Sequence, residues 1–471
     1  MEVTRSSGGT ERPKPFLSPE FCKGCGRCIG ACPKHCIAFS DEVNPQTGLI
    51  PVVLDLDACN GCGLCITACP EPYGLLPQPP GEPYELTDPA VMFGPRSTEA
   101  PQPVALPDER LPLPEVAPLV VKGNYAAAIG ALLAGCRHVY GYPITPSTEG
   151  AELMAKLLPK LDGVFLQAVS EVATVNIMYG CGGAGLRSLT FTSSPGFSLM
   201  LEGISYMIGA EVPGVFINVM RGGPGLGNIA PEQSDIKLAC RGLGHGNTHA
   251  IVLAPATPQE MLDLSALSFD LSFKYRNPVV ILSDGYLGQM TGRVNLPRTM
   301  VKPGIPAWAV YGDRSHRRNL INSIYLSEQE LEAHNLHLLA KYAAIALAEQ
   351  RADQFHCGDA STLVIACNTP AQMAKGAVQE LRHRGVKVGL FRPITLWPFP
   401  IQPLLPLLKR VERIVVVEAS DGQLEDELRL ALSHAGIYRP PLIEHVRRYG
   451  GMLPGQAEIV AKILAAEEVP S

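Results

Sequence analysis

The middle of the chain alternates between two patterns of apolar residues. Between Leu119 and about Leu296, stretches with helical spacing are interleaved with short, strand-like apolar runs, and glycine and alanine are frequent. Alternation of this kind is typical of helices packed on a sheet. The pattern therefore predicts a layered α/β unit in this part of the chain.

A second α/β pattern occupies the last third of the chain. Ser327 and Glu330 have the spacing of a capping box, which predicts that a helix begins there and runs to Gln350. Its apolar positions at helical spacing are Leu331, Leu336, Leu339, Ala343, Ile345 and Leu347. Three short apolar runs follow, at Ser361–Cys367, Val386–Phe391 and Arg413–Val417. They predict buried strands of an open, mostly parallel sheet.

Proline marks the expected boundaries between these units. Thirteen of the 43 prolines lie between Glu71 and Pro118, where apolar runs are few, and this composition predicts an extended linker. We expect five segments: an N-terminal unit 1–75, a proline-rich linker 76–118, an α/β domain 119–296, an irregular connector 297–326 and a C-terminal α/β domain 327–471.

Composition and charge exclude several classes of function. The chain has 471 residues, of which 46% are hydrophobic and 18% charged, as in globular proteins with more than one core. A net charge of -6 without a Lys/Arg-dense stripe argues against nucleic acid as a partner. No apolar run reaches the length of a membrane span. The stretch Met1–Pro15 is polar and lacks a signal-peptide core, so we expect a cytoplasmic protein.

Eight of the fourteen cysteines form two copies of the pattern C-x2-C-x2-C-x3-C-P. This is the spacing of proteins that bind two [4Fe-4S] clusters, in which the fourth cysteine of each run ligates the other cluster. The expected ligands of the first cluster are Cys22, Cys25, Cys28 and Cys69. Those of the second cluster are Cys59, Cys62, Cys65 and Cys32.

Zinc sites and disulfides account for these cysteines less well than iron–sulfur clusters do. Zinc sites usually contain two separated pairs of ligands, whereas each run here has an additional, evenly spaced cysteine and a trailing proline. Disulfides would require an oxidising compartment. The remaining six cysteines follow no pattern and are expected to be small buried hydrophobes: Cys36, Cys136, Cys181, Cys240, Cys357 and Cys367.

The segment Gly141–Glu149 reads as the end of a strand, a turn and the start of a helix. Thr145 is expected as the N-cap, with Pro146 at the first helical position. A helix N-terminus beside a threonine hydroxyl would also suit a carboxylate ligand. Both interpretations remain open at this point.

An acid and a set of glycines follow in the next helical stretch. Glu171 interrupts an apolar run that extends to Gly185, and a buried carboxylate is costly unless a partner meets it. Gly180–Gly185 formally matches G-x-G-x-x-G, but the glycines close a helix and precede a strand, which is the reverse of a dinucleotide site. We therefore expect them to allow close packing.

Two further segments combine glycine with residues that can bind a ligand. Thr192–Leu199 leads from a strand into a helix, and Arg221–Gln233 is a glycine-rich loop headed by arginine. Such loops let the backbone approach a ligand, and an arginine can hold a carboxylate through two hydrogen bonds.

Taken together, these segments resemble the α chain of the 2-oxoacid:ferredoxin oxidoreductases. The similarity covers about Leu119 to Leu464, and the branched-chain (2-ketoisovalerate) type is favoured over the 2-oxoglutarate type. Its five motifs are Tyr142–Thr148, Glu171 in its helix, Thr192–Met200, Arg221–Gly225 and Phe391–Pro400. The N-terminal unit resembles the small two-cluster ferredoxin subunit of these enzymes, here fused to the α chain.

The resemblance implies a thiamine-diphosphate-binding-type pyrimidine domain, a transketolase C-terminal-like α/β domain and an N-terminal α+β bacterial-type two-cluster ferredoxin domain. It implies that Glu171 contacts the aminopyrimidine ring of thiamine diphosphate, that Thr145 and Arg221 bind the substrate carboxylate, and that Ser194 and Gly196 contact the cofactor. The implied reaction is oxidative decarboxylation of a 2-oxoacid with coenzyme A as the acyl acceptor.

The chain lacks a Gly-Asp-Gly segment with a downstream Asn, which would bind Mg²⁺ and the diphosphate. We therefore expect a separate β chain that carries this motif, and in addition a small γ chain and a soluble ferredoxin. Two alternatives remain open on the sequence alone. One is a non-catalytic iron–sulfur electron-transfer subunit, and the other is a dinucleotide-dependent iron–sulfur oxidoreductase.

Overall fold

The computed structural model describes Arg12 and residues 14–77, 103–316 and 319–465. The chain divides into two compact units, Met1–Glu99 and Ala100–Ser471. Most of the predicted proline-rich linker, residues 78–102, lies outside the described residues. Within the described ranges, no helix combines the length and the apolar character needed to cross a membrane.

The N-terminal unit is a small α+β fold with an internal duplication. Its elements are β1 (Phe16–Leu17), α1 (Arg27–Ala31), β2 (Ile37–Phe39), β3 (Val52–Leu54), α2 (Leu64–Ala68) and β4 (Leu75–Leu76). The antiparallel pairs are β1 with β4 and β2 with β3. Each short helix begins directly after a glycine with positive φ, Gly26 or Gly63. The two cysteine runs are therefore carried by two equivalent loop and helix segments.

The second unit contains a seven-stranded sheet. Its strands are β7 (His138–Gly141), β8 (Val164–Gln167), β9 (Ser188–Thr192), β10 (Gly214–Met220), β11 (Ile251–Leu253), β12 (Pro278–Asp284) and β18 (Thr395–Trp397). Their order across the sheet is β18-β11-β12-β10-β9-β7-β8. All pairs are parallel except that of β11 with β18. The prediction of a layered α/β unit is confirmed.

Helices cover both faces of this sheet. They are α3 (Gly123–Leu133), α4 (Thr148–Leu157), α5 (Glu171–Gly183), α6 (Ser194–Gly209), α7 (Ile236–Arg241), α8 (Pro258–Tyr275) and α9 (Gly285–Gln289). Val215, Ile217 and Val219 of β10 belong to one apolar cluster, whereas Phe216 and Met220 belong to the other. Because successive side chains of a strand point to opposite faces, the central strands are buried on both sides.

The predicted linker and connector contribute strands to this unit. The strands in these segments and next to them are β5 (Glu109–Pro112), β6 (Leu119–Lys122), β13 (Thr291–Val294) and β14 (Thr299–Lys302). Antiparallel pairs join β5 to β14 and β6 to β13. Residues 109–112 are thus part of a pair of strands, which the proline content did not indicate.

The C-terminal region contains a five-stranded sheet. Its strands are β15 (Ala352–Phe355), β16 (Thr362–Ile365), β17 (Val388–Pro393), β19 (Arg413–Glu418) and β20 (Leu442–Arg447), in the order β15-β17-β16-β19-β20. Only β15 is antiparallel to its neighbour. The helices are α10 (Glu328–Ala348), α11 (Asn368–His383), α12 (Ile401–Leu408), α13 (Gln423–His434) and α14 (Gln456–Leu464). The open, mostly parallel sheet is confirmed.

Helix α10 begins where the sequence predicted, but it buries a different face. Ser327 accepts a hydrogen bond from the Glu330 amide at 3.3 Å, as a cap does. The buried positions are Leu338, Tyr342 and Ile345. Among the predicted apolar positions, Leu336 and Leu347 are 61% and 80% exposed. The predicted set of buried positions is wrong except at Ile345. The helix carries apolar residues on several faces, so their spacing does not show which face is buried.

Candidate functional site

The predicted site residues lie at one edge of the seven-stranded sheet. Ser194 and Gly196 are in the first turn of α6, directly after β9, and Arg221 follows β10. Thr145 lies in the turn after β7. Parallel strands bring their carboxyl ends to the same edge, which is where α/β proteins bind ligands. The fold therefore brings together residues that are up to 76 positions apart, the separation of Thr145 and Arg221.

Glu171 is the first residue of α5 and is buried, with 5% of its surface exposed. The helix begins here because the Ser170 hydroxyl accepts a hydrogen bond from the Ala173 amide at 3.2 Å. An acid in the first turn is favoured by the helix dipole. Among the described residues, no side chain or amide forms a hydrogen bond or ion pair with the Glu171 carboxylate. The carboxylate is thus buried and available to bind a ligand.

Gly196 leaves room for this carboxylate. A Cβ atom at Gly196 would lie 2.5 Å from Glu171 Oε1 and 2.5 Å from Thr192 Oγ1. Real Cβ atoms do not approach other atoms so closely. The first turn of α6 therefore packs its backbone directly against the Glu171 side chain, and any larger residue would displace it.

Thr145 is exposed and does not cap a helix. Helix α4 begins at Thr148, and Ser147 occupies the N-cap position. The Thr145–Pro146 peptide bond is cis. Asn124 Nδ2 donates to the Pro146 carbonyl at 2.9 Å and holds the turn from the neighbouring helix α3. The prediction of Thr145 as N-cap is wrong, because the turn continues for two residues beyond it.

Arg221 is buried, with 8% of its surface exposed. Its Nη1 donates to the Thr145 carbonyl at 2.8 Å, and its Nη2 donates to the Leu226 carbonyl at 3.3 Å. Its main-chain amide donates to Ser194 Oγ at 3.1 Å. Nε is buried without a partner, and no carboxylate of the described residues forms an ion pair with the guanidinium. A buried positive charge without a counter-ion favours an anionic ligand.

A cleft of about 640 Å³ adjoins Ser194 and the Arg221 loop. Ser194, Glu232 and Asp235 line it on one side, and Ser420 and Tyr449 of the C-terminal region line the other. Burial raises the pKa of Asp235, although hydrogen bonds from Ser194, Asn218 and Ser234 oppose this effect. No pattern in the sequence singles out Glu232, Asp235, Ser420 or Tyr449. Only the position of Glu232 at the end of the glycine-rich loop could have indicated a role.

The glycines of Gly180–Gly185 lie at the end of α5 and before β9. A Cβ atom at Gly182 would lie 2.3 Å from the Pro213 carbonyl oxygen. This contact explains why the helix requires glycine here. The close packing expected from the sequence is what the structure contains at Gly182.

In the N-terminal unit, the two cysteine sets surround two cavities. Cys22, Cys25, Cys28 and Cys69 line one of them. The other is lined by Cys32, Cys59, Cys62 and Cys65, together with Cys36. Each cavity is thus lined by three cysteines of one run and by the fourth cysteine of the other run, which is the donor set expected for a cubane cluster, and the second cavity has Cys36 in addition. Within the part of the chain that the structure describes, no three His, Cys, Asp or Glu side chains lie close enough together to hold a single metal ion.

The backbone beside these cavities requires glycine at position 24. Gly24 has a φ of 64°, and a Cβ atom there would lie 2.2 Å from the Ile50 carbonyl oxygen. Burial raises the pKa of Cys28 and of Cys65. A free thiolate is therefore disfavoured at these positions, and the positive charge of bound iron would stabilise it.

The six cysteines outside the pattern are all buried, as expected. Cys36 differs from the other five because its Sγ lies 3.3 Å from Cys32 Sγ. Burial raises the pKa of Cys36 to about 11. The thiol thus lies against an expected cluster ligand, which the sequence pattern did not show.

Three family profiles match the chain. Residues 129–307 match the family described as "Pyruvate flavodoxin/ferredoxin oxidoreductase, thiamine diP-bdg". Residues 360–459 match "Pyruvate:ferredoxin oxidoreductase core domain II". Residues 21–72 match "4Fe-4S dicluster domain".

Curated relatives and a solved structure agree with these profiles. The chain is 44% identical over 346 residues to ketoisovalerate oxidoreductase subunit VorB of Methanothermobacter marburgensis, which covers 73% of this chain and 96% of the relative. It is 36% identical over 318 residues to 2-oxoglutarate synthase subunit KorA of Archaeoglobus fulgidus, covering 66% of this chain and 90% of that subunit.

The solved structure is that of 2-oxoglutarate:ferredoxin oxidoreductase from Magnetococcus marinus with 2-oxoglutarate, coenzyme A and succinyl-CoA bound. It superposes with a TM-score of 0.67 at 26% identity, over 74% of this chain and 65% of that chain. The chain therefore spans about two thirds of the length of that solved chain. On these similarities and on the fold, the chain belongs to the α subunits of the 2-oxoacid:ferredoxin oxidoreductases and carries a fused 4Fe-4S dicluster domain.

Proposed function

We propose that this chain is the α subunit, with a fused two-cluster domain, of an enzyme that oxidatively decarboxylates a 2-oxoacid. The products are an acyl-CoA and carbon dioxide, and the electrons pass to a soluble ferredoxin. The favoured substrate is 2-ketoisovalerate or another branched-chain 2-oxoacid, with 2-oxoglutarate next. The ketoisovalerate subunit, at 44% identity, supports this order over the 2-oxoglutarate subunit at 36%.

The observation that carries the proposal is the presence of two buried, oppositely charged side chains at one sheet edge, each without a charged partner among the described residues. Glu171 suits a neutral heterocycle that can share a proton with its carboxylate, and Arg221 suits an anion. A 2-oxoacid and the aminopyrimidine of thiamine diphosphate have these two properties. Bound thiamine diphosphate supplies the electron sink that decarboxylation of a 2-oxoacid needs.

The residues of this chain would perform three tasks. Glu171 would hold or share a proton at the ring nitrogen of the aminopyrimidine, with Gly196 and Ser194 beside it. Thr145 and Arg221 would bind and orient the substrate carboxylate. Burial of Glu171 and Arg221 would exclude water and strengthen both interactions.

The cysteine sets would complete the electron path. We assign Cys22, Cys25, Cys28 and Cys69 to one [4Fe-4S] cluster and Cys59, Cys62, Cys65 and Cys32 to the other, on the basis of the two lined cavities. The fourteen cysteines form no disulfide. This suits a reducing compartment, and we place the complex in the cytoplasm.

The complex should contain further chains. This chain lacks the Gly-Asp-Gly segment that would hold Mg²⁺ and the diphosphate, so a β chain would supply it. We also expect a γ chain. In domain terms, we propose a cluster domain at 1–75, a linker at 76–118, a pyrimidine-type domain at 119–296, a connector at 297–326 and a C-terminal domain at 327–471.

Reconstitution tests the proposal. The anaerobically purified chain should contain about eight irons, as two cubane clusters require, and should not oxidise any 2-oxoacid by itself. Co-expression with the β chain should give CoA-dependent reduction of ferredoxin, with the highest kcat/KM for 2-ketoisovalerate. An assembled, thiamine-diphosphate-loaded complex that oxidises no 2-oxoacid would contradict the proposed function.

A further inference from the structure

The loop that begins with Arg221 is closed by its own backbone and by one carboxylate. The Gly222 amide donates to the Ala230 carbonyl at 3.0 Å, and Arg221 pairs with Pro231 in an isolated bridge. Glu232 Oε2 accepts a hydrogen bond from the Gly223 amide at 2.8 Å. The carboxylate therefore fixes the first turn of the loop, two residues beyond Arg221.

The other oxygen of the same carboxylate binds the C-terminal region. Glu232 Oε1 accepts a hydrogen bond from the Gly450 amide at 2.9 Å. Gly450 lies in the turn after β20, the edge strand of the C-terminal sheet. Glu232 has 7% of its surface exposed, and no cation of the described residues forms an ion pair with it. Its two oxygens thus join two main-chain amides that are 227 positions apart, since the residue numbers are 223 and 450.

Two neighbouring side chains strengthen this connection. Asn228 Nδ2 donates to the Gly450 carbonyl at 2.9 Å, so both polar groups of Gly450 are bound by the loop region. The adjacent Gln233 is fully buried. Its Oε1 accepts from the Ala419 amide at 2.8 Å, and its Nε2 donates to Asn368 Oδ1 at 3.2 Å. Residues 228, 232 and 233 therefore bind three residues of the C-terminal region, Gly450, Ala419 and Asn368.

The position of this loop determines where the Arg221 guanidinium lies. Its Nη2 donates to the Leu226 carbonyl within the same loop, and its Nη1 donates to the Thr145 carbonyl. If the first turn of the loop opens, one of these two partners moves away. We propose that Glu232 is a positioning residue for recognition of the 2-oxoacid carboxylate, because it couples the Arg221 loop to the C-terminal sheet. The inference rests on the proposed function, in which Arg221 binds that carboxylate.

Substitution of Glu232 by glutamine tests this role at constant volume. The amide of glutamine has one oxygen, so its NH₂ group would face one of the two glycine amides, and one connection would be lost. The matched control is Glu427→Gln. Glu427, in α13 of the C-terminal region, also accepts bonds of 2.7 and 2.8 Å from Arg241 in α7, but it does not touch the Arg221 loop.

In the assembled complex, Glu232→Gln should raise the KM for the 2-oxoacid about tenfold or more, which is the usual effect of losing a hydrogen bond to a charged group. The KM for coenzyme A, the iron content and kcat should change by less than about twofold. Cleavage by trypsin after Arg221 should be faster than in the wild type, because the loop opens. Glu427→Gln should show neither change.

Variants of Arg221 and Glu232 together separate this role from the proposed function. If Arg221→Gln raises the KM for the 2-oxoacid but Glu232→Gln changes neither KM nor cleavage after Arg221, the inference is wrong and the proposed function stands. If neither variant raises the KM, both the carboxylate assignment and the inference fail. If Glu232→Gln does not fold, Asn228→Ala, which removes the other side-chain bond to Gly450, is judged by the same two readouts.

Discussion

The Glu171 carboxylate packs against the backbone of Gly196. A Cβ atom at Gly196 would lie 2.5 Å from Glu171 Oε1, closer than any real contact. The contact joins the first turn of α5 to the first turn of α6. These two helix starts follow β8 and β9, which are consecutive along the chain and have β7 between them in the sheet, and they define one wall of the candidate site.

This contact predicts the effect of Gly196→Ala. The added methyl group must displace Glu171, and turnover should fall about hundredfold or more, because small misplacements of a catalytic group have effects of this size. Overpacking should also lower the free energy of unfolding by about 1–3 kcal/mol. The measurements are turnover of the complex and the thermal midpoint of the purified chain.

Gly180→Ala is the control for this prediction. Gly180 is exposed on α5, and a Cβ atom there would meet no atom within 4 Å. This variant should keep full activity. Its free energy of unfolding should rise by up to about 1 kcal/mol, since alanine favours a helix more than glycine does. Equal activity of Gly196→Ala and Gly180→Ala would contradict the placement of Glu171.

The exchange of the fourth cysteine predicts two pairs of equivalent variants. Cys25→Ala and Cys69→Ala should each remove or convert the same cluster, and they should leave the same residual EPR spectrum. Cys62→Ala and Cys32→Ala should each remove or convert the second cluster, and both should leave the EPR spectrum of the first cluster. Cys357→Ala, far from both patterns in sequence and buried, should retain all iron. If Cys69→Ala instead matched Cys62→Ala, each run would ligate its own cluster.

A buried hydrogen bond between helix α11 and strand β12 predicts a stability effect. Thr369 Oγ1 donates to Asp284 Oδ1 at 2.8 Å, and both residues are buried. Thr369→Val should lower the free energy of unfolding by about 1.5–3 kcal/mol, the range for a hydrogen bond to a charged group. Thr369→Ser keeps the hydroxyl and should be much less destabilised, as thermal or denaturant unfolding would show.

The same pair predicts a dependence on pH. Burial raises the pKa of Asp284, so its ionised form costs stability and protonation in acid removes that cost. The Thr369 hydroxyl stabilises the ionised form. The difference in the free energy of unfolding between the wild type and Thr369→Val should therefore be largest at high pH and should become smaller as the pH falls. A difference that grows toward acid would contradict this role.

The sequence predicted those parts of the structure that depend on local patterns. The cysteine spacing indicated two sets of thiols, and these sets line two cavities. Thr145, Ser194, Gly196 and Arg221 each follow a strand or begin a helix, so the parallel sheet brings them to one edge. Local periodicity and strand order are sufficient to predict where such residues lie.

Features that depend on distant contacts could not be predicted in this way. Glu232 binds Gly450, 218 positions later, and no local pattern indicates that pair. The exposed positions of α10 could not be distinguished from its buried ones, because apolar residues occur on several faces. The sequence predicts Thr145 as a cap, but Ser147 can serve as well, and only the geometry of the turn decides between them.

The proposed function requires that Glu171 acts on thiamine diphosphate in an active complex with a β chain. The most direct measurement is the turnover of Glu171→Gln in the assembled complex, with iron content, β-chain binding and thiamine diphosphate content measured on the same sample. Glutamine keeps the size of the side chain but cannot exchange a proton. Turnover should fall about hundredfold or more, while the complex still assembles and both clusters are retained. Turnover equal to that of the wild type would contradict this role of Glu171.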